Sequence, residues 1–225
     1  KEFTRDGVRV ETRYMVKVLA NSEAPDAWFF VSYRWNTSQD ATTAITEGDS
    51  DANGTSHDIP SRRNCRECHA RVTQRVLGFD AIQLDYAAPA GLLDLDDLVQ
   101  GNLVAPPPPG VTPRFPLPGT SIDQAAFGYL HANCGNCHNP TSGDVVSNTL
   151  LELRLDTSKL GSVTDTPTYK TTVGVLPTAR AAPGISVIVA RQKPDESLLI
   201  YLMNAADPTE QMPPIATEDV DPEGQ

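Results

Sequence analysis

Asn133-Cys134-Gly135-Asn136-Cys137-His138-Asn139-Pro140 is the stretch on which the organisation of this chain turns. Two cysteines separated by two residues, with histidine directly after the second, suit covalent attachment of a c-type haem. The thiols add to two vinyl groups along one porphyrin edge, and the histidine is left beneath the iron as proximal ligand. The same arrangement stands upstream as Cys65-Arg66-Glu67-Cys68-His69. The 225 residues include four cysteines, and the two motifs contain all of them. Two other chemistries use Cys-x-x-Cys pairs: a structural zinc site and a thioredoxin-like dithiol. Neither explains a histidine after the second cysteine both times. Two covalently attached haems, each with its iron, are therefore the expected cofactors. Cys65, Cys68, Cys134 and Cys137 are the expected attachment points, and His69 and His138 the proximal ligands.

A buried haem iron commonly takes a sixth ligand, methionine sulfur or histidine nitrogen. Of the three methionines, Met212 precedes Pro213-Pro214. These prolines lack N–H donors and stiffen the loop, which would hold a weak sulfur ligand in place. Met212 is thus the expected sixth ligand of the second haem. Met203 falls on the apolar face of a predicted helix and Met15 in a strand pattern, so both are expected to pack. For the first haem, His57 and His131 remain once the proximal histidines are set aside. His57 lies on a loop before Cys65 and can fold over the other haem face. His131, three residues before Cys134, can reach a neighbouring haem from its helix. An open or partner-supplied position is the third alternative.

Around the motifs the pattern predicts an α+β chain. Val8, Val10, Thr12, Tyr14, Val16 and Val18 alternate with Arg9, Glu11, Arg13 and Lys17, the period of a strand with one buried face. Residues 28–35 read as a second strand, joined to the first through the turn-rich 21–26 as a hairpin. Ser61 or Asn64 can cap a helix leading into the first motif, and 92–99 read as a short helix. Ala105-Pro-Pro-Pro-Pro-Gly110, continued by Pro113, Pro116 and Pro118, reads as a stiff connector. Beyond it, Ser121 can cap a helix into the second motif. Leu150, Leu151, Leu153 and Leu155 suggest a strand or irregular apolar segment. Pro194-Asp195-Glu196-Ser197 starts a helix whose acidic first turn suits its dipole. The expected organisation is a β-rich segment with the first haem-binding region (1–104), a Pro-rich linker (105–119) and a mainly α second haem domain (120–225).

The formal charge is −11, and haem propionates would make it more negative. Such a surface disfavours nucleic acid and anionic membranes and favours a redox partner with a basic face, with steering that weakens as salt rises. No apolar run is long enough to span a bilayer. From Lys1 onward no signal peptide is visible, and the chain reads as a mature form or a fragment. Asp49-x-Asp51-x-Asn53-Gly54 matches the start of a calcium loop, although its twelfth position, where a bidentate Glu is needed, is Pro60. Calcium is a minor expectation beside a solvated acidic turn.

Residues 120–225 resemble a class I cytochrome c domain through Asn133-Cys-Gly-Asn-Cys-His138-Asn-Pro, then Pro194-Asp-Glu-Ser-Leu-Leu, then Met212-Pro-Pro. The whole chain resembles a little-characterised family of bacterial di-haem c-type cytochromes through Val10-Glu-Thr-Arg13, Tyr33-Arg-Trp-Asn36, Ile59-Pro-Ser-Arg62, Leu77-Gly-Phe79, Gln83-Leu84 and Tyr129-Leu130. The resemblance implies electron transfer and export, hence a periplasmic or extracellular protein, with Met212 as the methionine ligand. It also implies a last helix packed on the first helix of the domain, whereas the sequence stops at Gln225, where that helix would begin. An electron carrier without substrate chemistry is the leading expectation. A di-haem peroxidase, which needs acid–base groups at an open iron, is one rival. A structural subunit of a larger redox assembly or extracellular cytochrome filament is the other.

Overall fold

β-Branched and aromatic side chains favour a pleated, half-buried surface, and the first 45 residues use them in that way. The computed structural model describes residues 1–20, 24–72, 75–106, 110, 112–141, 150–205, 207 and 209–214. Strands β1 (Glu2–Arg5), β2 (Val8–Lys17), β3 (Trp28–Trp35) and β4 (Thr42–Ile45) form an antiparallel sheet in the order β1-β2-β3-β4. β2 and β3 pair from Glu11 opposite Arg34 to Lys17 opposite Trp28. Part of the turn expected between them, 21–23, lies outside the described residues. Together with helices, the sheet makes the fold mixed α+β.

Alternation along β2 predicts one buried face and one solvated face, but the structure buries residues from both. Val10 clusters with Ala52, Ile59 and Ile45. Its neighbour Glu11 is equally buried, at 0 % exposure, while Val8 and Tyr14 of the expected core stripe are 44 % and 51 % exposed. The pairing explains the difference. Glu11, Arg13 and Met15 stand opposite Arg34, Ser32 and Phe30, so these six side chains share a face. Helix α1 (Arg62–His69) is packed on β3 there, with the His69 ring centroid 5.0 Å from that of Phe30 and the Arg62 Nε donating to the Phe30 carbonyl at 3.1 Å.

α1 begins as expected at Ser61, whose side chain accepts from the Asn64 N–H in a reciprocal capping box. This first compact unit spans Lys1–Arg75, joined by Pro214. The second spans Val76–Pro213 and holds α2 (Ala81–Leu84), α3 (Leu95–Gln100), α4 (Ser121–Asn133), α5 (Pro167–Thr172) and α6 (Leu198–Met203). Residues 76–104, expected beside the first motif, therefore belong to the unit that carries the second. The described part of the Pro-rich stretch is fastened within that unit. Arg114 pairs with Asp96, Thr112 Oγ1 donates to Asp96 at 3.0 Å, and the Phe115 N–H donates to Asp85 at 2.6 Å. Residues 107–109 and 111 lie outside the described residues, as does the chain from 215 onward, toward the expected start of the last helix.

In the second unit α4 is capped by Thr120 rather than Ser121, because Asp123 lies at the right spacing to close a capping box with Thr120. The leucines of 150–155 form no strand; Leu153 and Leu155 are buried in an irregular segment, and Leu150 is exposed. Pro194–Glu196 make a 3₁₀ turn, and the α-helix itself begins at Leu198. No helix among the described residues is long and apolar enough to cross a membrane. Removing the α4 cap should be measurable: Thr120→Ala is expected to cost about 1 kcal/mol in urea unfolding, and Thr120→Ser to restore most of it.

Candidate functional site

Cys65, Cys68 and His69 occupy positions i, i+3 and i+4 of α1, and helical spacing puts them on one face. His69 is oriented by its own chain. Its Nδ1 lies 2.6 Å from the Arg75 carbonyl, which can only accept, so Nδ1 carries the proton and the Nε2 lone pair is the one left for a metal. Burial lowers the His69 pKa, although the bond to Arg75 opposes the shift. Neutral imidazole, the ligating form, is thereby favoured.

Beside this motif lies a cluster that no short-range pattern announces. Fully buried Glu11 accepts from Arg13 Nε at 2.8 Å, and His57 Nε2 lies 2.8 Å from the same oxygen, Oε1. Its other oxygen, Oε2, is buried without a hydrogen-bond partner, as is the Ser32 hydroxyl on the same sheet face. Burial raises the Cys65 pKa; Arg13 lowers it and Glu11 raises it, so both side chains act on this cysteine. His57, expected as a distal ligand, thus has Nε2 committed to Glu11, so a bond to iron has to use Nδ1 or break this pair.

The second motif follows α4 directly. The His138 N–H donates to the Cys134 carbonyl at 2.8 Å, and Asn139 closes the turn by donating from Nδ2 to the carbonyls of Gly135 and Asn136. Segment 153–155 runs against this turn: the N–H groups of Leu153 and Arg154 donate to the His138 carbonyl at 2.9 and 3.3 Å. Gly135 is needed at the crossing, since a Cβ there would lie 2.6 Å from the His131 carbonyl oxygen and 2.9 Å from the Arg154 Cα. Burial, reinforced by neighbouring Cys137, pushes the Cys134 thiol up to about 11. That is opposite to the activated thiol of a thioredoxin-like dithiol. Among the described residues no group of three or more His, Cys, Asp or Glu side chains is placed to hold a bare metal ion.

Cys134 and His138 line an apolar crevice together with Leu153, Leu202, Met203 and Met212. Met212 is held there by its N–H, which donates to the Leu202 carbonyl at 3.0 Å, and the preceding loop by Arg180, which donates to the carbonyls of Thr209 and Glu210. Met203, expected only to pack, lines the same space because it ends the helix from which Met212 is hung. The chemistry of the crevice lining, an aliphatic wall with the Cys-x-x-Cys pair, an imidazole and a thioether at or beside it, is of the kind that would hold a covalently bound haem. At the first motif the cysteine pair and the free Nε2 of His69 on one face of α1 are the residues that would hold one.

Residues of two expected sites are used otherwise. His131, 3 % exposed, accepts the Leu155 N–H at Nδ1 (3.0 Å) and donates from Nε2 to the Asp80 carboxylate (3.1 and 3.2 Å). Neither nitrogen keeps a lone pair for iron. Burial by itself would raise the Asp80 pKa, but the bond and charge of His131, with the Gln83 N–H and Arg154, bring it below the usual range. In the acidic turn 49–54, Asp49 pairs with Arg34 at 2.6 Å and the Asn53 amide donates to the Trp35 carbonyl, so these side chains are spent within the fold.

No family model matches this chain, and no curated protein or solved structure matches it. The contacts around Gly135 support a sharp expectation: Gly135→Ala should destabilise by about 1–3 kcal/mol, read as a lowered urea midpoint, whereas alanine at open Gly174 should act through backbone conformation alone.

Proposed function

We propose that this chain is a di-haem c-type cytochrome that passes electrons between redox partners. Haems are carried by Cys65 with Cys68 and by Cys134 with Cys137; His69 and His138 are the proximal ligands, and Met212 is the sixth ligand of the second. The observation that carries the reading is the aliphatic crevice that brings Met212 together with Cys134 and His138. The resemblance to bacterial di-haem cytochromes points the same way, and with it a periplasmic or extracellular location. When bound, such a group supplies one-electron chemistry between two iron oxidation states. The chain's own work is to orient His69 through the Arg75 carbonyl, to keep that imidazole neutral by burial, and to shield the second site with leucine side chains.

Charge is divided unevenly along the sequence. Residues 1–75 carry eleven Lys and Arg against eleven Asp and Glu, and residues 76–225 carry seven against eighteen. A basic partner is therefore steered to the unit with the second motif, either as a transient contact or within a larger assembly. Reduced and oxidised optical spectra with haem quantitation test the proposal. Two haems per chain are expected, with an Fe–Met charge-transfer band that is lost in Met212→Ala and kept in Met203→Leu. Recovery of a fully matured chain with four free thiols and no haem would rule the reading out.

A second reading, peroxide reduction at the first site, is favoured by one observation: Glu11, Arg13 and His57 bring a carboxylate, a guanidinium and an imidazole together beside Cys65. These are groups able to hold and move a proton at His57. Under this reading His57→Ala lowers peroxide turnover with a reduced donor by about 10²-fold or more while haem content stays at two. Turnover no faster than that of free haem in the unsubstituted protein would dismiss it.

A further inference from the structure

His131 is a buried imidazole that electron transfer as described does not use, yet the structure spends both its nitrogens. Nε2 donates to Asp80, the N-cap of α2, whose Oδ1 also accepts the N–H groups of Ile82 and Gln83 at 3.1 and 3.2 Å. Arg154 adds a cation 3.8 Å from the same carboxylate. The acid is thus held from three sides and fixes the imidazole as the tautomer with its proton on Nε2. Nδ1 is then an acceptor and takes the Leu155 N–H at 3.0 Å, a buried bond. The two residues before Leu155 turn their N–H groups the other way, to the His138 carbonyl. One three-residue segment therefore grips the ring of His131 and the backbone of His138 together. The Gly135 crossing, tight against both the His131 carbonyl and the Arg154 backbone, leaves little room for the segment to slide.

We propose that His131 is the positioning residue of the second haem: its ring fixes segment 153–155, and that segment fixes the proximal ligand His138. The inference rests on the di-haem reading. With both ring nitrogens engaged, His131 is not one of the residues that would hold the haem; it acts through backbone hydrogen bonds. Without the acceptor at Nδ1, the buried Leu155 N–H has no partner, the segment shifts to find one, and the His138 carbonyl loses its donors. His138 would then be held less firmly as the ligand of a bound haem, and ligation by Met212, the weaker of the two, would be the first to suffer.

Three substitutions separate the two arms of the ring. The side-chain oxygen of asparagine lies as many bonds from Cβ as Nδ1, so His131→Asn keeps an acceptor for Leu155 and gives up Asp80. The amide nitrogen of glutamine corresponds to Nε2, so His131→Gln keeps Asp80 and gives up Leu155. His131→Phe gives up both. The measurements are haem content, the Fe–Met charge-transfer band and a redox titration resolving the two haems, each on the full chain. With two haems retained, the proposal expects His131→Gln and His131→Phe to weaken the Fe–Met band and lower the midpoint of the second haem alone. His131→Asn should stay close to the unsubstituted protein in both. Should His131→Phe fail to fold, the contrast between asparagine and glutamine decides by itself. A glutamine variant with an unchanged band and midpoint, or an asparagine variant as disturbed as the glutamine one, overturns the proposal. An unsubstituted chain without haem overturns instead the reading on which it rests, so the two failures are told apart.

Discussion

Three consecutive backbone N–H groups, those of Leu153, Arg154 and Leu155, hold the second unit around its motif. A backbone donor buried without a partner costs roughly 1–3 kcal/mol, so an irregular segment can be buried only where acceptors await it. Here they are the carbonyl of His138 and the ring of His131. The same segment reaches α5 at its other end, where Glu152 and Thr171 exchange hydrogen bonds between backbone and hydroxyl. Helix α4, the motif turn, α5 and the start of α2 are thereby joined through a stretch of chain that has no regular secondary structure. The absence of a strand there is no weakness, because each N–H is satisfied individually instead of by a neighbouring ladder.

The first unit solves a different problem. Its sheet buries a carboxylate, and a buried charge is tolerated only when paired; removing one partner of such a pair commonly costs about 3–5 kcal/mol. Arg13, two residues along the same strand face, and His57, from the loop before α1, supply the pairing. Arg13 is also stacked over the Phe3 ring at 4.1 Å, and the Phe3 and His57 rings lie 5.9 Å apart. The carboxylate thus organises β1, β2 and the loop around itself. What would be a solvated face in an ordinary sheet becomes the wall against which α1 presents Cys65 and His69.

Chemistry that is local along the chain is legible in the sequence alone. The motif histidines, the Ser61 cap and the four-residue spacing of α1 depend on neighbours within one or two turns. Met212 lines the crevice with Cys134 and His138, and the signal in the sequence that singles it out is the pair of prolines that follows it. The faces of β2 are not legible in this way, since alternation records which side chains share a face and not which face meets the helix. Glu11 is buried by a histidine 46 residues away, and His131 owes its role to an aspartate 51 residues away. No periodicity reports such pairings. Asp80 alone leaves a trace, as a helix-capping residue before Ala81, but nothing in that trace points to His131. The Pro-rich stretch misleads for a related reason. Proline content signals stiffness, whereas Arg114 and the Phe115 N–H decide what the stiff segment is tied to, and both act through aspartates earlier in the chain.

The two surroundings differ in a way that bears on the direction of electron flow under the proposed function. An iron next to a buried carboxylate has its oxidised, more positive state favoured, and Glu11 stands in that relation to the first motif. Arg13 offsets the charge, leaving the balance to the geometry of the pair. An iron bound by a thioether in an aliphatic crevice has its reduced, less charged state favoured, because little polar surface is available to stabilise the extra positive charge. Met212, Leu153 and Leu202 create that environment at the second motif. With haems bound at both motifs, as proposed, electrons arriving at the first site would then run downhill to the second. The excess of acidic charge lies in residues 76–225, so on the same reading the unit that would hold the electron at the end of that step would also attract a basic acceptor. Attraction at that end depends on net charge and falls with salt, whereas the internal step depends on buried groups and does not. Under the proposed function, ionic strength would thus govern how often the protein meets an acceptor while leaving the gradient between two bound haems as the fold sets it.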